Sequence, residues 1–220
     1  MKNLILAGGG SEKDSKPLDK LLVSLIPMNK KLLYIPVAME PSKYPSCLKW
    51  FTSTFTCLGL TDIVMLTDLK EKIDLSQFGA IYMGGGNTFK LLHELRHSGF
   101  VTKLKKFLNM GGIIYGGSAG AIVLGKDIKT AFMDENRIGI RDTSGLNLVE
   151  GCSIWCHYKK EDDMKIFEYI GTNKIPVIAL TERSGLYVRD KKIKVVGFEP
   201  IYVFTKNRKR VFRPKALVKL

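Results

Sequence analysis

The sequence predicts an α/β fold, a mostly parallel sheet with helices on both faces. Three observations point there. Short apolar, β-rich segments alternate with helical patterns from the first residues onward, the order that builds parallel strands with helical crossovers. A strand running through glycines into a helix occurs twice, at Ala80-Ile81-Tyr82-Met83 before Gly84-Gly85-Gly86 and at Gly112-Ile113-Ile114-Tyr115 before Gly116-Gly117. A third run, Gly8-Gly9-Gly10, closes the first apolar segment. Ligands of such sheets gather beyond the C-terminal ends of the strands. All three glycine loops fall on that edge.

The elements follow in order. Asn3-Leu4-Ile5-Leu6-Ala7 reads as a strand, 18–25 as a helix, and 31–37 as a strand stopped near Pro41. A helix over 43–58 ends near Gly59, where the absent side chain eases a reversal. Strands are expected at 62–66 and 80–83. Asn87 or Thr88 can cap the next helix, 88–96, whose Phe89, Leu92 and Leu95 keep helical spacing. A second helix over 101–108 leads into the strand at 112–115. After about residue 130 the pieces shorten. Ile154, alternating between Cys152 and Cys156, suggests a strand, and a helix is expected over 164–170. Strands are expected at 176–180, 185–189 and 193–198, the last two forming a hairpin around Asp190-Lys191-Lys192. No repeat or linker interrupts the chain, so 1–220 is read as a single domain.

The chemistry starts at Tyr115-Gly116-Gly117-Ser118-Ala119-Gly120, a serine in a Gly-x-Ser-x-Gly frame directly after a strand. On such a turn the hydroxyl is lifted clear of the sheet, and the next amide, of Ala119, can face an oxyanion. The loop Gly84-Gly85-Gly86 offers further amides, with Gly85 and Gly86 as oxyanion donors. A phosphate cradle would need a Lys-Ser or Lys-Thr after the glycines, and a dinucleotide site would need Gly-x-Gly-x-x-Gly. Neither is present, and no cofactor is expected.

Composition narrows the class. A 45% hydrophobic, 25% charged chain of 220 residues has enough apolar mass for one core. Leu4-Ile5-Leu6 breaks at once into glycines, and no apolar run approaches the ~20 residues of a membrane span. The expectation is a cytoplasmic protein without a membrane partner. Net charge is +14, and the densest basic run is Lys206-Asn207-Arg208-Lys209-Arg210. That run lies between Tyr202-Val203-Phe204 and Val211-Phe212, as the solvated tip of a hairpin would, and no nucleic-acid module accompanies it. No specific nucleic acid is expected. Cys47, Cys57, Cys152 and Cys156 show no disulfide pattern, and Cys152, Cys156 and His157 lack a fourth ligand, so no metal is expected.

Two stretches, Gly84-Gly85-Gly86-Asn87-Thr88-Phe89 and Gly117-Ser118-Ala119-Gly120-Ala121, together with their spacing, resemble the peptidase E family of serine peptidases, which also includes cyanophycinases. Cys156-His157-Tyr158 is similar to the family's histidine landmark. The resemblance implies a fold like that of class I glutamine amidotransferase domains, with flavodoxin-like three-layer architecture. It also implies hydrolysis of short peptides through an acyl-enzyme. Ser118 is then the nucleophile. His93 and His97, four apart on one helix, read as surface residues, so elimination and the resemblance both leave His157 as the base. For the third member the resemblance points to Asp134, with Glu182 and Glu135 as alternatives. It further implies a substrate with N-terminal aspartate, with Asn87 near the bound residue. The segment after His157 is shorter than the family's arginine-bearing one. Lys159 or Lys160 stands in its place, and a lysine does not reproduce a bidentate arginine. The partner expected is a short peptide, with a homodimer left open. An amidotransferase would need cysteine at 118, and an α/β-hydrolase would carry its histidine near the C-terminus. The rival of another class is a binding or sensor protein on the same fold.

Overall fold

The computed structural model describes residues 2–220. Its larger sheet has eight strands. Five run parallel: β1 (Asn3–Ala7), β2 (Lys31–Ile35), β3 (Ile63–Met65), β4 (Phe78–Met83) and β5 (Ile113–Gly117). Three further strands extend the sheet by successive antiparallel pairings, β8 (Ser184–Arg189) on β1, β9 (Lys192–Gly197) on β8 and β12 (Leu217–Val218) on β9, giving the order β12-β9-β8-β1-β5-β4-β2-β3. β1 and β5 therefore lie side by side at the centre, with Ala7 opposite Gly117.

Alternation along the strands assigns each side chain to a face. Leu4, Leu6, Leu33, Ile35, Ile81, Met83 and Ile114 point to one side. There they meet α3 (Thr88–His97), α4 (Phe100–Asn109) and α5 (Ala119–Leu124). Leu91, Leu92 and Leu95 of α3, with Phe100, Leu104, Phe107 and Leu108 of α4, form buried stripes at helical spacing. Ile5, Leu32, Tyr34, Ala80, Tyr82 and Tyr115 point to the other side, against α1 (Glu12–Leu25) and α2 (Tyr44–Thr56). On that side Phe51 stacks on Tyr34 at 3.9 Å and meets Tyr82 edge-on at 4.8 Å. α1 begins six residues before the expected start at 18, because Asp14 Oδ2 accepts from both the amide and the hydroxyl of Ser11 at its N-terminus and Pro17 is carried within it.

The single expected sheet is joined by a second. β6 (Ser153–Trp155), β7 (Val177–Leu180), β10 (Ile201–Thr205) and β11 (Arg208–Phe212) form a four-stranded sheet in the order β11-β10-β7-β6. The helix α6 (Asp163–Asn173) packs Ile166, Tyr169 and Ile170 against its Trp155, Val177, Ala179 and Phe204. β6 and β7 are parallel, with α6 as their crossover. The basic run at 206–210 is the β10–β11 turn with the first residues of β11. Its Lys209 is not a solvated tip: the ammonium reaches Asp163 at 2.7 Å and donates to the Tyr158 hydroxyl at 2.7 Å. No helix among the described residues is long and apolar enough to cross a membrane.

Candidate active site

Ser118 stands between β5 and α5 with φ 50° and ψ −109°, a conformation serine holds only where its surroundings impose it. Hydrogen bonds impose it here. Ser118 N donates to Ala7 O at 3.0 Å, while Ser118 O accepts from Ala121 N at 2.8 Å and Ile122 N at 3.0 Å. The chain thus passes from strand to helix in one residue. α5 lies so close to β4 that a Cβ on Gly120 would stand 2.3 Å from Met83 O. The hydroxyl emerges at the sheet's C-terminal edge.

His157 follows β6 and is likewise left-handed, at φ 54°. Its amide donates to Gly8 O at 2.9 Å, and the next amide, of Tyr158, donates to Leu180 O at 2.9 Å. The imidazole rests on Gly9, whose φ is +111° and where a Cβ would lie 2.1 Å from His157 Cε1. The first glycine run is therefore the seat of the imidazole. Sequence reasoning placed that run at the active edge without giving it this task, and only the fold brings residue 157 over it.

Ser118 Oγ lies 2.9 Å from His157 Nε2, and His157 Nδ1 lies 2.9 Å from Glu182 Oε1. A carboxylate on Nδ1 holds the ring proton there, which leaves Nε2 to accept the serine proton. The carboxylate in this chain of contacts is Glu182, the alternative acid, and not Asp134. Asp134 Oδ2 accepts from Thr88 N at 2.8 Å, at the N-terminus of α3, where helix dipole and free amides favour a carboxylate. Glu135 pairs with Arg137 at 2.8 Å and faces solvent. Asn87, expected near substrate, is committed elsewhere. Its Oδ1 accepts from Lys90 N at 2.9 Å as the helix cap, and its Nδ2 donates to Glu135 O at 2.8 Å.

Gly85 lies against Ser118, since a Cβ there would be 3.4 Å from Ser118 Cβ. Among the described residues the amides of Gly85, Gly86 and Ala119 find no hydrogen-bond acceptor, the condition expected of donors reserved for a bound oxygen. Beneath them Cys156 Sγ stands 3.6 Å from Ser118 O. Burial pushes its thiol well above the ordinary range, so it stays protonated and uncharged.

A second residue that sequence reasoning missed is Ser184. It is fully buried. Its Oγ accepts from Thr181 N at 2.9 Å and contacts Thr181 O at 3.3 Å, closing the turn that carries Glu182. Polar residues at 181 and 184 flanking an acid were the available signal, since such side chains bond locally to turn backbone. The site opens into a cleft of about 640 Å³, whose walls include Phe132, Met133, Lys159 and Lys165.

The sequence matches the profile of peptidase family S51 over residues 4–196. The chain belongs to peptidase family S51. This makes it a hydrolase of the serine-peptidase class. Among its S51 relatives, one named peptidase E from Shewanella sp. is 31% identical over 200 residues, covering 84% of this chain and 82% of the relative. Another of that name, from Nostoc sp., is 28% identical over 185 residues, covering 80% and 76%. The crystal structure of a Listeria monocytogenes protein, described as a peptidase E candidate, aligns with TM-score 0.69 at 25% identity, covering 89% of this chain and 98% of that one. A peptidase from an acI-B1 actinobacterium shares the fold, with TM-score 0.75 at 19% identity over 100% of this chain and 97% of its own.

Proposed function

We propose that this S51 peptidase cleaves short peptides, dipeptides with an N-terminal aspartate first among them, through a Ser118–His157–Glu182 triad and an acyl-enzyme. The observation that carries the triad is the continuous contact from Ser118 Oγ through both ring nitrogens of His157 to Glu182, 2.9 Å at each step. The preference for aspartate draws on the name peptidase E borne by the relatives and on the free ammonium groups of the cleft.

In the first half-reaction Ser118 Oγ attacks the scissile carbonyl carbon and its proton passes to His157 Nε2. Glu182 stabilises the resulting imidazolium. The carbonyl oxygen takes the negative charge and is met by the amides of Ala119 and of Gly85 or Gly86. Collapse breaks the C–N bond, and the departing amine takes the proton from Nε2. In the second half water attacks the ester carbon and gives its proton to Nε2. Collapse then breaks the bond to Oγ, which recovers that proton as the acid product leaves.

The test joins labelling to turnover. A fluorophosphonate probe should label the wild-type protein at Ser118 and leave Ser118→Ala unlabelled. Ser118→Ala and His157→Ala should each lower kcat for a cleaved dipeptide by about 10⁴-fold or more. Near-normal hydrolysis by either variant would remove the assignment. In a panel of Asp-Leu, Asn-Leu and Ala-Leu the first should be cleaved fastest, and equal rates would leave a peptidase without aspartyl preference. No cleavage and no labelling together would turn the reading toward a binding protein on this fold.

A further inference from the structure

The cleft beside Ser118 is unevenly balanced in charge. Its walls hold three carboxylates and two ammonium groups. Each carboxylate is already answered: Asp134 by Thr88 N, Asp162 by Lys159 N at 2.9 Å, and Glu182 by His157. Neither Lys159 nor Lys165 forms an ion pair among the described residues.

Lys165 is also held in place. Its Nζ lies 4.7 Å from the centroid of Phe132, whose ring stacks on Trp155 at 4.6 Å and 23°. Trp155 is 2% exposed and belongs to the packed core of the second sheet, whereas Phe132 is 44% exposed at the cleft wall. A buried indole thus anchors an exposed ring, and the ring's π face holds an ammonium in the cleft that Ser118 also lines. The cation–π contact leaves the nitrogen's remaining protons unused. A lysine held in position without a carboxylate partner is preorganised for an anion that arrives from outside.

We infer that Lys165, held over Phe132, is the receptor for a substrate carboxylate in this cleft. The assignment rests on the peptidase reading above and adds to it the group that sets affinity. A short peptide offers that carboxylate from two sources, an acidic side chain on the acyl residue or the free α-carboxylate of the leaving residue. Their chemistry at Lys165 is the same.

Binding to the non-cleaving Ser118→Ala protein separates the sources without requiring turnover. Calorimetric titrations would use Asp-Leu, Asn-Leu and Asp-Leu amide, against Ser118→Ala alone and against the same protein carrying Lys165→Met. Lys165→Met keeps the aliphatic stem and removes the charge. It should weaken Asp-Leu by about tenfold or more, the scale of losing a hydrogen bond between charged groups. Lys165→Arg should retain most of the affinity, and Phe132→Leu should weaken it part of the way. The ligand lacking the carboxylate that Lys165 meets should be insensitive to Lys165→Met: Asn-Leu if the acyl side chain is bound, Asp-Leu amide if the α-carboxylate is. Equal affinity within twofold for all three ligands in both proteins overturns the inference, as does equal weakening of all three. Absence of binding by every ligand overturns it too. The peptidase reading is judged separately, by probe labelling at Ser118 in protein with Ser118 intact.

Discussion

At the scale of single residues, the site depends on two non-glycine residues held left-handed, Ser118 and His157. Each donates a backbone hydrogen bond to the end of β1 or the residue after it, Ser118 N to Ala7 O and His157 N to Gly8 O, and the imidazole has room only because residue 9 lacks a Cβ. Gly9→Ala should therefore abolish hydrolysis, whereas alanine at Gly59, which also has positive φ but open space around it, should cost only backbone strain of about 1–2 kcal/mol in a denaturation midpoint. The identity of the acid divides two variants. Glu182→Gln should lower kcat by about 10²–10⁴-fold, because the imidazolium loses its counter-charge and its tautomer is no longer held. Asp134→Asn should change kcat less than tenfold and instead cost about 1 kcal/mol of stability, as loss of a charge at a helix N-terminus does. The reverse pattern would return the triad to Asp134. Ser184 acts through Glu182 by shaping its turn, so it is a positioning residue. Ser184→Ala should reduce kcat in the wild type but change it less than twofold in a Glu182→Gln background. Additive losses would mean that Ser184 serves only the fold.

At the scale of elements, polar contacts tie helices to sheets, and two of them carry charge. α1 is joined to β5 through Asp19, which is 2% exposed and accepts from Ser15 Oγ at 2.7 Å and Tyr115 Oη at 2.8 Å. Burial raises its carboxyl from 3.8 to about 6, against the lowering effect of those two donors. A carboxyl with a raised folded-state pKa binds its proton more tightly in the native protein. Its contribution is therefore complete below about pH 4 and is lost as pH rises through about 6. A shift of about 2 units corresponds to ~3 kcal/mol. Urea denaturation should show Asp19→Asn gaining on the wild type by up to that amount between pH 4 and pH 7. A pH-independent difference would contradict the assignment. The second contact joins α6 to β11. Burial pushes Asp163 up, but hydrogen bonds from Lys209 and Tyr158 outweigh it and hold the carboxyl below its ordinary value. Lys209 also lies 4.9 Å from the centroid of Tyr202 and 5.3 Å from that of Phe204, so its removal costs packing as well as charge.

At the scale of the molecule, the active cleft is assembled from both sheets. Ser118 and the amides of Gly85, Gly86 and Ala119 come from the large sheet, whereas His157 and the Trp155 that anchors Phe132 come from the small one with its helix. The net charge of +14 acts over this whole surface. It should raise the encounter rate with acidic peptides and leave neutral ones unaffected. Raising ionic strength from about 0.01 M to 1 M shortens the Debye length from about 30 Å to 3 Å. Over that range kcat/KM for an acidic dipeptide should fall severalfold, while that for a neutral analogue should hold steady. Parallel curves for the two would show that the excess charge takes no part in substrate capture.

The α/β class, the order of most strands and helices, the serine at a strand-to-helix turn and the glycine amides beside it were all determined by the sequence alone. Each depends on local chemistry. Side-chain period marks strand or helix, and glycines mark where the backbone turns sharply or must come close. The partition into two sheets was not local, because the pairings that make the second one, such as Tyr202 with Ala179, join segments distant in sequence. Which carboxylate contacts His157 was not local either. Asp134 and Glu182 are both acids downstream of the serine, and spacing along the chain does not say which one meets the imidazole. That was decided by tertiary structure. β8 pairs antiparallel with β1, so the turn before it carries Glu182 to the glycine seat where His157 already rests, while the loop after α5 runs instead to the start of α3 and delivers Asp134 to Thr88. Proximity across a sheet edge follows from which strands pair, and pairing is settled by the burial of the whole core rather than by any residue's neighbours in sequence.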